Sequence, residues 1–511
     1  MFTKITTIGL FGLQTYIINV EADIDTGLPR FDIVGLPDMA VSESKDRVRA
    51  AIKNSGFDFP LGRITVNLSP ADIRKEGPVY DLPILLSLLC ATGQIDRKKL
   101  DGKAFVGELS LDGTIKHING VLPMAIMAKQ EGFNTMFVPA DNAAEAAVVS
   151  GIDIYPVKNV KTLISHLNGN NLIKKITSDD YNSADYPSIP LPDFCDVKGQ
   201  FQVKRALEVA AAGGHNTLMI GPPGSGKSML AKRLPSILPD MTFEESLETT
   251  KIYSIAGALQ HNNSLIRTRP YRAPHHTISS AGLSGGGRIP HPGELSLAHN
   301  GVLFLDELPE FSKNTMEGLR QPIEDGEVTI ARVSGTLTYP CEVMLVCAMN
   351  PCPCGYFGHP TKQCTCPRGT PAKYLSRVSG PLLDRLDIHV EVPQVDFSQL
   401  SDDTRGESSA EIKKRVNAAR EIQNKRFEGT SITCNGKMTP SMTREFCRID
   451  DASKKLLEGA FERLGLSARA YDKILRVSRT IADLDSSERI EKMHIAEAIQ
   501  YRSLDRKFWN A

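Results

Sequence analysis

The feature that most constrains the fold of this chain is a glycine-rich octapeptide between a short apolar run and a helical pattern. The apolar run covers residues 217–220, and the octapeptide that follows fits the pattern G-x-x-x-x-G-K-[ST]: Gly221, Pro222, Pro223, Gly224, Ser225, Gly226, Lys227 and Ser228. Glycines let main-chain N–H groups converge on phosphate oxygens, and a helix N-terminus adds the positive end of its dipole. The pattern predicts a nucleotide-binding α/β domain in which Lys227 contacts the β- and γ-phosphates and Ser228 binds Mg²⁺.

Two further apolar runs end in polar residues that suit the same site. Residues 302–305 precede Asp306, which would hold Mg²⁺ mostly through water, and Glu307, which would polarise the attacking water as a general base. Residues 343–349 precede Asn350, whose amide can hydrogen-bond the γ-phosphate or that water. Alone, the acidic pair would be a solvated strand end and the asparagine a turn residue. Beside a phosphate loop, the catalytic interpretation is favoured.

The chain consists of three blocks joined by polar linkers. Residues 1–167 mix alternating apolar segments, as at 64–68, with helical ones at 121–131 and 143–149, and residues 168–192 form a linker rich in Asn, Ser, Asp and Pro. Residues 193–395 alternate strands with helices, whereas residues 396–511 begin with a second polar stretch and then show only helical patterns, at 409–427, 451–464, 469–484 and 492–501. We therefore expect an α/β multidomain protein with an all-α C-terminal domain. A chain of 511 residues that is 41% hydrophobic can bury several cores, which excludes a mostly disordered protein.

The balance of charges limits what can be said about partners. Lys+Arg 60 equals Asp+Glu 60, so any nucleic-acid contact must come from local patches rather than from an overall field. No apolar stretch approaches the roughly 20 residues that span a bilayer, and the N-terminus lacks a signal-peptide pattern. We expect a cytoplasmic protein that does not enter the membrane.

The order of these motifs resembles that of AAA+ ATPases of the magnesium-chelatase/MCM branch. After Asn350 come LLDRLD at 382–387 and Ser-Ala-Arg at 467–469, and the segments RPYRAPHHTIS and NPCPCGYFGHP at 269–279 and 350–360 resemble the ComM/YifB family. The resemblance covers essentially the whole chain. It implies that Arg385 acts on the nucleotide of a neighbouring subunit, that Arg469 is the sensor-2 arginine of a helical lid, and that the chain forms a homo-oligomeric ring, usually a hexamer. A guanidinium is a permanent cation suited to charge growing on a transferred phosphoryl group.

The first block resembles the peptidase domain of Lon protease in two segments. Residues 74–81 resemble the segment that carries the catalytic serine, and residues 105–122 the segment that ends at the catalytic lysine. Val79 and Leu122 occupy those two positions, and neither side chain can supply a nucleophile or a base. The resemblance therefore implies a Lon-protease-like α+β domain without peptidase activity, which builds the ring or binds a partner.

Basic residues surround a glycine-rich segment between the phosphate loop and Asp306. Arg272 precedes this segment and Arg288 ends it, and in the resembled branch the position carries an insertion that faces the pore. Residues 327–332 and 336–339 have hairpin spacing, and the corresponding hairpin of that branch touches DNA, which makes Arg332 a further candidate. A mobile basic loop can follow a phosphate backbone without reading sequence. The alternative is a structural loop with solvated arginines.

Four of the ten cysteines form two C-x-C pairs that could hold a metal: Cys352, Cys354, Cys364 and Cys366. Four thiolates can close a tetrahedral Zn²⁺ site of the structural kind. The C-x-C spacing is tighter than the usual C-x₂-C, and free thiols or a redox switch are alternatives. We expect Cys341 and Cys347 in the core and His359 at a turn.

These features predict an ATP- and Mg²⁺-dependent motor that moves along single-stranded or branched DNA without sequence preference. The family resemblance implies helicase or branch-migration activity on recombination intermediates in natural transformation. A protein remodeller or a metal-insertion ATPase, as in magnesium chelatase, would use the same ATPase core, with pore loops that grip a protein instead. An ATP-dependent protease is the third alternative, against which Val79 and Leu122 speak.

Overall fold

The computed structural model describes residues 1–177, 191–259, 264–287, 290–332, 335–395, 405–465, 467–504 and 508. Both predicted linkers therefore lie partly outside the described residues. The chain divides into two compact units. The N-terminal unit comprises Met1–Pro187 and Phe243–Ile266, and the C-terminal unit comprises Ser188–Thr242 and Arg267–Ala511. Within the described ranges, no helix combines the length and the apolar character that crossing a membrane requires.

Two main sheets and a short ribbon organise the N-terminal unit. In the four-stranded sheet, Phe2–Phe11 and Gln14–Asp25 pair antiparallel, Gln14–Asp25 pairs antiparallel with Arg63–Ser69, and Arg63–Ser69 pairs parallel with Arg30–Val34. The strand predicted at residues 64–68 is confirmed, because its side chains alternate between buried and less buried positions. The other strands are Lys103–Phe105, Thr135–Pro139 and Asp153–Val157 in a parallel sheet, and Glu108–Leu109 with Ile115–Lys116 in the ribbon.

The helices of this unit bury its apolar segments. Asp81–Ala91 is apolar on all sides and buried over most of its length, as expected for a core helix. The helix predicted from Val121 is confirmed, and the one predicted from Ala143 is shorter than expected. The α-helices are Met39–Asn54, Asp81–Ala91, Val121–Gln130, Ala143–Ala146, Val160–Leu167 and Phe243–Ile255.

The last of these helices comes from the part of the chain that the sequence assigns to the ATPase core. Its Ser254 Oγ donates a hydrogen bond to Glu145 Oε2 at 2.7 Å, and its Ser254 carbonyl accepts one from Gly120 N at 3.1 Å. Burial raises the pKa of the Glu145 carboxyl, although the hydrogen bonds from Ser254 and Asn142 act in the opposite direction. The segment thus contributes to the hydrogen-bonded interior of the N-terminal unit.

A five-stranded parallel sheet forms the centre of the C-terminal unit. Its strands lie in the order Tyr271–Arg272, Val302–Leu305, Met344–Met349, Thr217–Ile220 and Ile388–Glu391. The three predicted strands are confirmed and fully buried, whereas the two outer ones, which are short, were not predicted. The predicted hairpin is also confirmed as Glu327–Arg332 paired with Gly335–Pro340. Because the strands of the sheet are parallel, the loops after three of them meet at one edge.

Helices surround this sheet, and the C-terminal ones share its hydrophobic core. The four helices predicted after residue 408 are confirmed, and Pro440–Phe446 is an additional one. The helices are Phe201–Gly213, Lys227–Ala231, Ser280–Ser284, Glu294–Leu297, Lys313–Gly318, Arg320–Asp325, Thr370–Leu375, Gly380–Leu383, Ser409–Arg426, Pro440–Phe446, Asp451–Leu464, Ala468–Leu484 and Lys492–Gln500. The mixed α/β, multidomain fold expected from the sequence is therefore present.

Candidate functional site

The glycine-rich loop connects the strand Thr217–Ile220 to the helix Lys227–Ala231. Gly226 lies directly before this helix with φ +91°, a left-handed conformation that a residue with a Cβ rarely adopts. Gly221 N donates to Met349 O at 3.2 Å, which ties the start of the loop to the neighbouring strand. The loop therefore ends in a helix N-terminus, the arrangement that binds phosphate groups.

Lys227 is a buried cation inside this loop, with 8% of its surface exposed. Its Nζ donates to Gly221 O at 2.8 Å, to Pro222 O at 2.9 Å and to Asn350 Oδ1 at 3.1 Å. Burial lowers the pKa of Lys227 to about 8, although the nearby carboxylates of Asp306 and Glu307 oppose the shift. The predicted loop lysine and the predicted strand-end asparagine are thus in direct contact.

Ser228 and Asp306 lie side by side at the same edge of the sheet. Ser228 Oγ donates to Asp306 Oδ2 at 2.5 Å, and the other carboxylate oxygen accepts from Glu307 N at 3.0 Å. A hydroxyl and a carboxylate are oxygen ligands of the kind that Mg²⁺ prefers. The residues present at this position therefore fit a magnesium ion.

Glu307 has a partner that the sequence did not predict. His276 Nδ1 lies 3.3 Å from Glu307 Oε2, and Glu307 itself has a left-handed backbone with φ +53°. The His276 ring packs against its neighbour His275 at a centroid distance of 4.1 Å and meets Phe311 edge-on at 6.4 Å. These contacts hold the imidazole against the carboxylate that would act as general base. In the sequence, the pair of adjacent histidines within residues 269–279 was the only feature that could have indicated this contact.

Arg385 contacts residues outside the phosphate loop. Its Nε donates to Arg320 O at 2.9 Å, its Nη1 donates to Pro381 O at 2.8 Å, and its Nη2 pairs with the Glu324 carboxylate. Arg469 is largely exposed and pairs through Nη1 with Asp384 Oδ2 at 3.4 Å. Asp384 is thus next to one predicted arginine, Arg385, in the chain and forms an ion pair with the other, Arg469.

The segment 384–387 is also anchored to the C-terminal helix Ala468–Leu484. Lys473 Nζ donates to Leu386 O at 3.0 Å and pairs with Asp387 Oδ1 at 3.1 Å, and both side chains are buried. Burial would raise the pKa of the Asp387 carboxyl, but the charge of Lys473 and the adjacent His215 ring, whose Nδ1 lies 3.4 Å from Asp387 Oδ2, hold it well below its usual range. A shift of this helix would therefore move the loop that carries Arg385.

The three candidate DNA contacts differ in their surroundings. Arg272 forms a bidentate ion pair with Glu294, with Nε to Oε2 at 2.6 Å and Nη2 to Oε1 at 2.7 Å. Arg288 lies outside the described residues. Arg332 is exposed at the end of its strand, and a Cβ added at Gly286 would lie 3.2 Å from its Nη2. Hence the glycine-rich segment lies beside the hairpin end, whereas Arg272 is already bound to a carboxylate.

The four cysteines of the two C-x-C pairs are brought together. Their sulfur atoms all lie within 4.8 Å of one another, and no disulfide joins them. His359 is not part of this group, because its Nδ1 accepts hydrogen bonds from Thr361 N and Lys362 N at 3.2 Å and 3.0 Å. As expected, His359 stabilises a turn, and Cys341 and Cys347 are buried. The thiol set is compatible with zinc.

The two positions that correspond to the Lon dyad are apolar and enclosed. Val79 is 5% exposed in a short 3₁₀ turn, and Leu122 is fully buried at the start of its helix. The segment at residues 74–81, which includes Val79, also contains Lys75, which is fully buried and donates a hydrogen bond to the Pro70 carbonyl. These positions form part of the hydrophobic core of the N-terminal unit.

Three family models match consecutive parts of the chain. The family described as subunit ChlI of Mg-chelatase matches residues 20–142, magnesium chelatase subunit ChlI matches residues 193–400, and the C-terminal part of that subunit matches residues 406–502. The first match falls in the N-terminal unit, and the second includes the phosphate loop and the Asp306–Glu307 strand end.

Relatives match nearly the whole chain. The uncharacterized protein YifB of Escherichia coli K12 is 44% identical over 97% of this chain and 96% of its own length. The competence protein ComM of Haemophilus influenzae is 43% identical over 97% and 96%, respectively. A Lon protease from Aster yellows witches'-broom phytoplasma is 31% identical over only 24% of this chain and 16% of its own length. The protein therefore belongs to the YifB/ComM family of magnesium-chelatase-like AAA+ proteins, a family membership that implies ATPase activity with ATP and Mg²⁺.

Proposed function

We propose that this protein is a ring-forming motor that hydrolyses ATP to move DNA, and that it drives branch migration of recombination intermediates during natural transformation. The observation that carries the proposal is the convergence of Lys227, Ser228, Asp306 and Glu307 at one edge of the parallel sheet. The name of the Haemophilus relative, a competence protein, supports the link to transformation.

In the proposed reaction, the loop around Lys227 binds the phosphates, and Asn350 orients the lysine and the attacking water. Ser228 and Asp306 would hold Mg²⁺, which would neutralise charge on the phosphate oxygens when bound. Glu307 accepts the proton of the attacking water, and His276 acts as a positioning residue that fixes this carboxylate. Nucleotide and Mg²⁺ would replace the present contacts of Lys227 with main-chain carbonyls and of Ser228 with Asp306.

Completion of the site requires a second subunit. Arg385 would reach the nucleotide of a neighbour in a homo-oligomer, which we propose to be a hexamer, while Arg469 acts within the lid. Because Asp384, Leu386 and Asp387 are tied to Arg469 and Lys473, motion of the lid helix on hydrolysis would carry Arg385 with it. The Lon-like unit would help to build the ring or bind a partner.

DNA would be gripped at the end of the hairpin and the adjoining glycine-rich segment. Arg332 supplies a cation that no carboxylate holds among the described residues, and Gly286 lies next to it. Main-chain and guanidinium contacts of this kind follow phosphates without reading bases. Arg272 is a weaker candidate because it would have to leave Glu294 first.

The proposal is tested by measuring ATP hydrolysis with and without four-way, forked and single-stranded DNA over a range of salt concentrations. We expect branched or single-stranded DNA to stimulate hydrolysis, binding to weaken with salt, and Lys227→Ala to abolish hydrolysis while binding of DNA persists. If no DNA binds or stimulates, the protein is instead a remodeller or metal-insertion ATPase, as the matched magnesium-chelatase families suggest.

A further inference from the structure

A group of four thiols lies immediately beyond the catalytic residues, beginning two residues after Asn350. The sulfur of Cys352 lies 3.3 Å from that of Cys354 and 3.8 Å from that of Cys364, and the Cys354 and Cys364 sulfurs are 3.5 Å apart. Cys366 completes the group, and all four sulfurs lie within 4.8 Å of one another. Cys352 is fully buried, and the other three are partly buried.

These distances suit one metal ion better than they suit disulfides. A disulfide joins its sulfurs at about 2.05 Å, far closer than any measured pair here. Four thiolates around one Zn²⁺, each about 2.3 Å from the ion, have sulfurs about 3.8 Å apart in a tetrahedron. Three of the sulfur pairs lie within about half an ångström of that edge. With four protein ligands no position stays open for a substrate, so the ion would be structural.

The cysteine segment has little other structure to hold it. Between the strand Met344–Met349 and the helix Thr370–Leu375, the described chain forms only turns. One turn is closed by Gly355 N, which donates to Cys352 O at 2.9 Å, and another is stabilised by His359. Such a segment has no hydrophobic core of its own, and a metal is the usual means of ordering one.

This segment also packs directly on the phosphate loop. Gly355 has φ +84°, and a Cβ added to it would lie 2.2 Å from Pro223 Cδ and 2.7 Å from Pro223 Cγ. Only glycine combines that backbone conformation with so close an approach. The turn that carries the first two cysteines therefore lies against the loop that contains Lys227, and the same chain carries Asn350, which binds the lysine.

We propose that Cys352, Cys354, Cys364 and Cys366 bind one structural Zn²⁺, and that this ion braces the phosphate loop from the side through the contact of Gly355 with Pro223. The zinc site stands independently of the proposed motor function. The effect on nucleotide binding rests on the proposed ATP site, in which Asn350 and Pro223 keep the loop in its binding shape. Loss of the metal would release both contacts and weaken nucleotide binding without removing any group that touches the phosphates.

The metal is tested by elemental analysis of the full chain after extensive dialysis. We expect one zinc per chain in the wild-type protein and in Cys195→Ser, whose cysteine lies outside the cluster, and substantially less in Cys354→Ser and Cys364→Ser. Replacement by cobalt should give the thiolate charge-transfer bands of a tetrahedral site. Absence of metal in the wild type, stoichiometric iron, or full zinc in both cysteine variants would overturn the assignment.

The brace is tested by titrating a fluorescent ATP analogue. We expect Cys364→Ser to bind it about tenfold more weakly than the wild type, because a loop that must be reordered lowers the apparent affinity. Gly355→Ala should keep its zinc and still bind more weakly. The proposed support of the phosphate loop by zinc is wrong if zinc-depleted wild-type protein, shown to be folded by circular dichroism, binds the analogue as tightly as zinc-loaded protein. That result would not contradict the zinc site itself. If loaded wild-type protein binds no analogue, the proposed ATP site fails instead.

Discussion

Two of the buried lysines among the described residues, Lys227 and Lys75, lie in glycine-containing segments but have different surroundings. Lys227 in the C-terminal unit and Lys75 in the N-terminal unit both donate to main-chain carbonyls, and burial lowers the pKa of both. Around Lys227 lie Asn350, Ser228 and two carboxylates that can bind a metal and a water. In the N-terminal unit, Val79 and Leu122, which are apolar, occupy the positions that the resemblance assigns to the Lon dyad.

The comparison shows that a buried cation is not by itself a functional site. What distinguishes Lys227 is a set of polar groups at the ends of three parallel strands, which a nucleotide and Mg²⁺ can reorganise. Lys75 instead donates a hydrogen bond to the main-chain carbonyl of Pro70. At the positions compared, the C-terminal unit therefore offers a cation, a hydroxyl and carboxylates, whereas the N-terminal unit offers two apolar side chains.

Replacing each lysine separates the two roles and should produce the largest difference. Lys227→Ala should lower the rate of ATP hydrolysis about 100-fold or more, since it removes a cation aimed at the transferred phosphate. Lys75→Met should leave that rate unchanged and lower the free energy of unfolding by about 1–3 kcal/mol, because the Pro70 carbonyl loses its partner. Hydrolysis assays and thermal unfolding of both variants test this. Loss of hydrolysis in folded Lys75→Met would break the distinction.

The pKa of Lys227 predicts how nucleotide binding depends on pH. The free site has a lysine pKa of about 8, and bound phosphates would raise it, so binding takes up a proton above that pH. The affinity for nucleotide should therefore be highest below pH 8 and fall above it, by about tenfold between pH 7 and pH 9. The Lys227→Ala variant serves as control, because its weaker binding should not follow this curve. An affinity that rises with pH in the wild type would contradict the assignment.

His276 tests whether the site depends on contacts from outside the motifs. His276→Ala should lower kcat about tenfold, less than the loss of the general base itself because His276 only positions Glu307, and leave KM for ATP nearly unchanged. His276→Gln, whose amide can still donate to Glu307, should recover part of the rate. The split between kcat and KM distinguishes positioning of Glu307 from damage to the nucleotide pocket, which would raise KM as well.

The smallest effect is expected at the hairpin. Arg332→Ala should weaken binding to single-stranded DNA a few-fold and reduce the slope of log affinity against log salt by about one. Arg272→Ala should change the salt slope less, because that arginine is paired with Glu294. Binding measured by fluorescence anisotropy at several salt concentrations compares the two. If Arg272→Ala loses more affinity for DNA than Arg332→Ala, the DNA contact lies at the insertion near Arg272 rather than at the hairpin.

Features formed by residues close together in the sequence could be predicted, whereas contacts between residues far apart in the sequence could not. The phosphate loop, the Asp306–Glu307 strand end and the C-terminal helices follow from local patterns, and their strands and helices lie where the patterns place them. The contact of His276 with Glu307 joins residues on two strand ends, and the strand Tyr271–Arg272 that leads to His276 is too short to show a period.

Other features depended on tertiary contacts that a sequence does not display. The helix Phe243–Ile255 lies within the ATPase segment, yet Ser254 bonds to Glu145 in the N-terminal unit. Likewise, the cysteine spacing suggested a metal, but only the structure shows Gly355 against Pro223. The sequence also marked Arg272 as basic without revealing that Glu294 holds it.

If each ATP site needs Arg385 from a neighbouring subunit, two different inactive variants should restore hydrolysis when they are mixed. Lys227→Ala and Arg385→Ala subunits should each be inactive alone, and equal mixtures should recover about a quarter of the wild-type rate, since random pairing rebuilds that share of interfaces. Mixtures of Lys227→Ala with Glu307→Gln, whose defects both lie in the same subunit's half of the site, should stay inactive. If Arg385→Ala hydrolyses ATP at the wild-type rate, or if the wild-type protein keeps its full rate as a monomer, hydrolysis does not need Arg385 from a neighbouring subunit.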